Sequence, residues 1–237
     1  MQKEIPMIRG VAFDFDCTLY NRLQVWERLV DRFIIQFNEH INQSLSKDHI
    51  VEILQRGDTM GIIKDSSWQD IFAEYVKMGL FSVKPEFDDF FSFITEAFPP
   101  AIVLYPDTLS CMETLRKMGL KTAILTNGRS DFSHRKISAT GVDHLMDYIL
   151  CSGDIGIQKP DKRAFEMLCD GWGLMPEETI FVGDHPLSDV YGAQNAGMTA
   201  IWMANAVPWP SKTDFPPYTI KSLSELINII PKIMQNT

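Results

Sequence analysis

Ile8-Arg9-Gly10-Val11-Ala12-Phe13-Asp14-Phe15-Asp16-Cys17-Thr18 is the stretch whose reading decides the fold. The run from Ile8 to Phe15 is short, apolar and ends in acids, as expected of a buried strand whose carboxyl end opens into a polar site. Asp14 and Asp16 stand two residues apart, so in extended chain their side chains share one side. Two carboxylates crowded there raise the pKa of one of them unless a cation intervenes. Such a pair can divide labour: Asp14, ionised, attacks phosphorus, and Asp16, protonated, donates to the leaving oxygen and then acts as base towards water. An Asx-turn is the competing reading of the pair taken alone.

Working outward, the pattern changes after Tyr20 for about 80 residues and reads as all helix. Trp26, Val30, Phe33 and Phe37 recur at helical spacing; Ser46 with Ile50, Ile53 and Leu54 marks a second helix. Ser67-Trp68-Gln69-Asp70 has the form of a capping box opening a third, which carries Phe72 and stops at Gly79. Phe87, Phe90, Phe91 and Ile94 form a fourth, predicted to close at Pro99-Pro100. The aromatic stripe Trp26, Phe33, Phe37, Trp68, Phe72, Phe90 and Phe91 reads as the core of this block rather than as a platform for a ligand.

From Pro106 helices and strands alternate. Predicted strands run Thr122 to Thr126, Met146 to Cys151, Thr179 to Val182 and Thr199 to Met203. Predicted helices run from about Asp107 to Met118, from Ser130 towards Gly141, from Pro160 at its favoured first position, from Ser188 to Ala196, and near Leu223 to Ile230. Pro208 to Pro217 reads as a surface loop. The alternation implies parallel β-α-β units. The expected architecture is α/β: a doubly wound parallel sheet, with residues 1–20 and 101–237 as the core domain and an all-helical domain, residues 21–100, inserted after the first strand.

In an open parallel sheet the ligand crevice lies outside the carboxyl ends of the strands. Four expected strands deliver chemistry there: Asp14 and Asp16, then Thr126-Asn127-Gly128, then Lys159 before Pro160, then Gly183-Asp184 with Asp189. A hydroxyl and main-chain amides in the Thr126-Asn127-Gly128 turn can cradle an anion. Lys159 would bring a fixed cation to a phosphate and to Asp14. Asp184 and Asp189 are hard oxygen donors of the kind magnesium takes, Asp184 directly and Asp189 from behind, where it could orient Lys159. Four carboxylates at one sheet edge need roughly a divalent cation, a lysine and one protonated acid to coexist. His185 and Arg129 flank these segments, and Asn21 and Arg22 stand where the helical block begins; each is a substrate or hinge candidate with an equally plain structural role.

The bulk properties narrow the partners. The chain has 237 residues, 45% hydrophobic and 22% charged, with a formal net charge of −9. That balance argues against nucleic acid or an anionic membrane as a main partner, since both need clustered Lys and Arg. No stretch approaches the roughly 18 apolar residues of a membrane span, and the amino-terminal segment lacks a signal-type apolar run, so a cytoplasmic location is expected. Cys17, Cys111, Cys151 and Cys169 show neither metal-site spacing nor disulfide-scaffold density and are expected as buried thiols. Oligomeric state cannot be read from these features.

Together these residues resemble the haloacid dehalogenase superfamily, in the branch with a helical cap after the first strand. Asp14-Phe15-Asp16-Cys17-Thr18 is similar to its Asp-x-Asp-x-Thr motif, Leu125-Thr126-Asn127-Gly128 to its second motif, Lys159-Pro160 to its third, and Gly183-Asp184 through Asp189 to its fourth. The resemblance implies a magnesium-dependent hydrolase of a small phosphate monoester. In it Asp14 is nucleophile and metal ligand, and Asp16 is general acid and base with its carbonyl on magnesium. Thr126, Asn127, Gly128 and Lys159 bind phosphate, Asp184 is a metal carboxylate and Asp189 supports. The acid at Asp16 implies phosphate-ester rather than carbon–halogen chemistry. A phosphomutase shares the motifs. A phospho-accepting signalling module, which pairs acids earlier in the chain and lacks the helical insertion, fits less well.

Overall fold

The computed structural model describes residues 7–64, 66–210, 216 and 218–236. The chain divides into two compact units, Met1–Tyr20 with Leu104–Thr237 in one and Asn21–Val103 in the other.

Six strands form the sheet of the first unit among the described residues: β1 (Gly10–Phe13), β2 (Lys121–Thr126), β3 (Tyr148–Cys151), β4 (Thr179–Gly183), β5 (Thr199–Met203) and β6 (Thr219–Ile220). Their order is β3-β2-β1-β4-β5-β6 and every pairing is parallel. The chain therefore winds outward in both directions from β1, and the crevice belongs where that direction switches, at the carboxyl ends of β1 and β4. Register puts the chemistry level there. Phe13 sits opposite Ile124 and Val182, and the Asp14 amide donates to the Val182 carbonyl at 2.9 Å. Asp14 thus leaves the sheet level with Leu125, one residue before Thr126, and with Gly183.

The second unit holds α1 (Arg22–Gln36), α2 (Lys47–Lys64), α3 (Trp68–Lys77) and α4 (Phe87–Ala101). Trp26 is fully buried and meets the rings of Phe33, Tyr75 and Phe98 edge-on at 5.9–6.2 Å; with Phe33, Phe37, Phe72 and Phe90 it makes this unit's own core, while Trp68 and Phe91 of the expected stripe are half-buried at its margin. Ser67 and Asp70 form the predicted capping box. Gly57 and Gly61 let α2 and α3 approach: a Cβ there would lie 2.4 Å from Tyr75 and 2.5 Å from Ile71. Inside the same core Asp58, fully buried, accepts from the Arg22 guanidinium at 2.8 Å and from the Trp26 indole at 3.0 Å.

Helices α5 (Thr108–Lys117), α6 (Ser130–Ala139), α7 (Ser152–Ile155), α8 (Lys162–Trp172), α9 (Gly192–Asn195) and α10 (Leu226–Asn236) complete the first unit. Ala12, Ala123, Leu125 and Phe181 pack with Phe165, Leu168 and Trp172 of α8 and Ala193 of α9. The alternate side chains Val11, Phe13, Ile124 and Val182 are also fully buried, as a doubly covered sheet requires.

Several boundaries differ from expectation for local reasons. Pro160 does not begin a helix: Asp161 caps α8 by accepting the Arg163 amide at 3.0 Å, which leaves Pro160 outside it. Pro99 and Pro100 lie within the last turn of α4 rather than ending it. The segment expected as a helix from Ser188 opens earlier as a π-helical turn, Pro186–Tyr191, because the His185 ring accepts the amides of Leu187 and Ser188. The third strand begins at Tyr148, two residues late, and the final helix continues through Pro231 to Asn236. β6 and the single turn α7 are too short to carry a periodic signal. Of the expected Pro208 to Pro217 loop, residues 211–215 and 217 lie outside the described residues.

Candidate active site

Directly after β1 the chain curls tightly. Cys17 takes a left-handed conformation with φ 63°, uncommon outside glycine, and Leu19 donates its amide to the Phe15 carbonyl at 3.0 Å. The curl returns Thr18, fully buried, so that its hydroxyl lies 3.2 Å from an Asp14 oxygen and 3.3 Å from an Asp184 oxygen. A single hydroxyl thereby ties the first and fourth segments together.

Lys159 binds the site from the third segment. Its ammonium, 3% exposed as a residue, donates to Asp14 Oδ1 at 2.7 Å and to Asp189 Oδ1 at 2.6 Å. Asn127 aims Lys159: its amide side chain donates to the Lys159 carbonyl at 3.0 Å and accepts the Lys159 amide at 2.9 Å. Asp189 is held in turn, since its other oxygen accepts the His185 amide at 2.9 Å. Gly128, at φ 142°, gives its amide to the Ser152 hydroxyl at 2.9 Å, and Thr126 is buried at the end of β2. The indole of Trp202 donates to the Asp184 carbonyl at 2.9 Å and fixes that loop from below.

Asp14, Asp184, Asp189 and Lys159 therefore converge. Asp16 stands beside them, held by the Tyr20 hydroxyl on one oxygen and the Lys136 ammonium on the other. Lys136 and the bridging part of Thr18 were not singled out from sequence. The available signal for Lys136 was its helical phase: Phe132, Ser133, Lys136 and Ile137 are the buried face of α6, so a lysine occupies a core-facing position. The flanking candidates have local roles in the structure. Asn21 caps α1, Arg22 pairs with Asp58, His185 caps the turn before Asp189, and Arg129 pairs with Asp131 on the surface.

Charge accounts for the electrostatics. Burial pushes the Asp14 carboxyl up to about 7; Lys159 pulls it down, while Asp189 and Asp16 push it further up. Burial likewise holds Asp184 well above the usual carboxylate range, reinforced by Asp189 and Asp14. Burial works against the Lys159 ammonium too, but Asp14 and Asp189 outweigh it and keep its pKa raised. One lysine thus faces three buried carboxylates. Asp14, Asp184 and Asp189 each offer an oxygen within 4.8 Å of the others, and Asp184 Oδ2 is buried with no hydrogen-bond partner among the described residues. An orphaned buried carboxylate oxygen is costly, and an all-oxygen set of this kind fits a hard divalent cation such as magnesium.

Residues 11–203 match the family model described as haloacid dehalogenase-like hydrolase. The chain belongs to that family. A phosphoserine phosphatase from Thermus thermophilus is 42% identical over 100 residues, 42% of this chain and 40% of that protein. A glyceraldehyde 3-phosphate phosphatase from Methanocaldococcus jannaschii is 27% identical over 234 residues, 97% of this chain and 100% of that one. (S)-2-haloacid dehalogenases match as well, over about half of their length. Among solved structures, a HAD phosphatase from Thermococcus onnurineus superposes with a TM-score of 0.67 at 25% identity, covering 94% of this chain and 98% of that one. Among the described residues of this haloacid dehalogenase-like hydrolase no helix is long and apolar enough to cross a membrane.

Proposed function

We propose that the chain is a magnesium-dependent phosphatase acting on a small phosphate monoester through an aspartyl-phosphate at Asp14. The observation that carries this is the Lys159 ammonium, bound at once to Asp14 and Asp189 inside a cluster of buried carboxylates. Asp14 and Asp184, with the Asp16 main-chain carbonyl, would hold the cation. When bound, it supplies positive charge that allows an ionised Asp14 and a phosphate to approach.

The protein's own groups then divide the reaction. An Asp14 oxygen attacks phosphorus, the bond from phosphorus to the ester oxygen breaks, and that oxygen takes a proton from the Asp16 carboxyl. In the second half Asp16 takes a proton from water, the water oxygen attacks phosphorus, and Asp14 leaves as carboxylate. Lys159 offsets negative charge throughout, with Asp189 and Asn127 holding it in place. The acid at Asp16 favours this over the dehalogenation known for some relatives, because expelling an alkoxide needs a proton and expelling a halide does not.

The relatives named above are phosphatases of phosphoserine and glyceraldehyde 3-phosphate, so small three-carbon phosphate esters are the first substrates to try. A phosphate-release screen over such esters, with magnesium and with a chelator, tests the proposal. Release that requires magnesium and disappears in Asp14→Asn is expected. Release undiminished by chelation, or full activity in Asp14→Asn, would overturn it.

A further inference from the structure

Lys136 is 4% exposed and projects from α6, an element that carries none of the four motif segments. Its ammonium bonds Asp16 Oδ2 and lies 5.6 Å from the centre of the Phe15 ring and 5.4 Å from that of Phe132. A buried ammonium is costly unless a carboxylate meets it, and the carboxylate that meets this one is Asp16. Tyr20 holds the other oxygen of the same carboxyl from within the curl after β1. Asp16 is therefore gripped at both oxygens by groups on two separate elements, while its side chain stays 17% exposed.

We infer that Lys136 is a positioning residue that, with Tyr20, fixes the Asp16 carboxyl in the orientation needed to pass a proton to the leaving oxygen. This rests on the function proposed above and adds a residue that the motif segments do not contain. The geometry gives the reason. A carboxyl on a two-bond side chain at a curling turn has several rotamers, and proton transfer needs the oxygen within hydrogen-bond reach of the ester oxygen as the bond breaks. The ammonium itself is almost fully buried beside the rings of Phe15 and Phe132, so the lysine acts as a fixed post rather than a mobile counter-ion. The proton moves from Asp16 to the ester oxygen, which keeps the electron pair of its broken bond to phosphorus; Lys136 neither gains nor loses a proton.

A residue acting through Asp16 leaves a signature that general destabilisation does not. An alkyl phosphate expels a strongly basic alkoxide and depends on the donated proton; p-nitrophenyl phosphate expels a stabilised phenolate and depends on it little. The experiment is single-turnover release of alcohol from glycerol 3-phosphate and of phenolate from p-nitrophenyl phosphate, by wild type, Lys136→Met, Lys136→Arg, Asp16→Asn and Lys136→Met/Asp16→Asn. For Lys136→Met the alkyl rate should fall by about 10²-fold and the aryl rate by less than about threefold. Lys136→Arg should recover most of the alkyl rate. In the Asp16→Asn background, removing the lysine should change neither rate by more than about twofold, because the two residues act as one unit. Thermal unfolding of each variant confirms that the compared proteins are folded; should Lys136→Met not fold, the Arg variant and the double variant carry the comparison.

Equal losses on both esters in Lys136→Met, or full additivity in the double variant, would overturn the inference while leaving the phosphatase reading intact. An Asp16→Asn protein with no leaving-group dependence would instead remove Asp16 as the donor, and the underlying reading of the site with it.

Discussion

Gly183→Ala is a substitution one methyl in size whose effect on the site can be worked out from the structure. Gly183 ends β4, and a Cβ built there would lie 2.4 Å from the Cβ, Cγ and Oδ2 of Asp189. Ordinary contact begins at 3.4 Å, so Asp189 must retreat by about 1 Å. The backbone at Gly183 is not left-handed, so alanine brings a steric conflict and no conformational strain. Adding about 1 Å to the 2.6 Å bond from Lys159 to Asp189 breaks it as a hydrogen bond. Lys159 then keeps Asp14 but loses the anchor that aims it. A misplacement of that size costs about 10²-fold in rate, or roughly 2.7 kcal/mol of barrier. Overpacking itself costs about 1–3 kcal/mol of stability, which lowers the melting temperature by roughly 2–12 °C. The assay is kcat for p-nitrophenyl phosphate at saturating magnesium, with melting followed by circular dichroism. A variant with kcat within twofold of wild type and unchanged melting would refute the claim that Asp189 holds Lys159 for the reaction.

Other predictions follow from the same charges and contacts. Because burial raises the Asp14 pKa from near 4 to about 7, the folded protein binds more protons than the unfolded chain between those values. In chelator, stability should therefore fall as pH rises through that window, Asp14 alone contributing on the order of 4 kcal/mol and the raised Asp184 adding in the same direction, and magnesium should reduce the fall by favouring the ionised carboxylates. Denaturant unfolding at pH 4, 5.5 and 7 measures it, and flat or rising stability would contradict the sign. Asp58→Ala leaves the Arg22 guanidinium and the Trp26 indole without their shared acceptor in the helical unit. It should cost about 3 kcal/mol, and a melting temperature within about 2 °C of wild type would show that the pair is not needed. Asn127→Ala removes both hydrogen bonds that fix the Lys159 main chain. It should lower kcat by about 10-fold or more with little change in melting, and an unchanged kcat would return Asn127 to a purely local role.

What could be read from sequence was what depends on short-range pattern. An apolar run ending in acids placed β1 and Asp14, Thr179 to Val182 before Gly183-Asp184 placed β4, and Ser67 with Asp70 announced the start of α3. Because the order of strands and helices dictates parallel winding, the convergence of Asp14, Lys159, Asp184 and Asp189 was legible as well. What could not be read depends on side chains meeting across distance. The helical phase of Lys136 with Phe132 and Ile137 marks it as core-facing, but nothing in the sequence says that Asp16 is the carboxylate it meets. Asn127 looks like a turn residue until its amide is seen to span the main chain of Lys159. Pro160 carried a misleading cue, because Asp161 offers the cap and Pro160 stays outside the helix. The left-handed Cys17, which brings Thr18 back to Asp14, has no signature in a residue type that rarely adopts that conformation.

The central claim is that phosphorus passes through Asp14, and rapid quenching of turnover with a radiolabelled phosphate ester followed by peptide mapping tests it most directly. Acid-stable, base-labile label on the peptide spanning Asp14, absent from Asp14→Asn, is the predicted result. Turnover with no label on that peptide, or label that persists in Asp14→Asn, would contradict it.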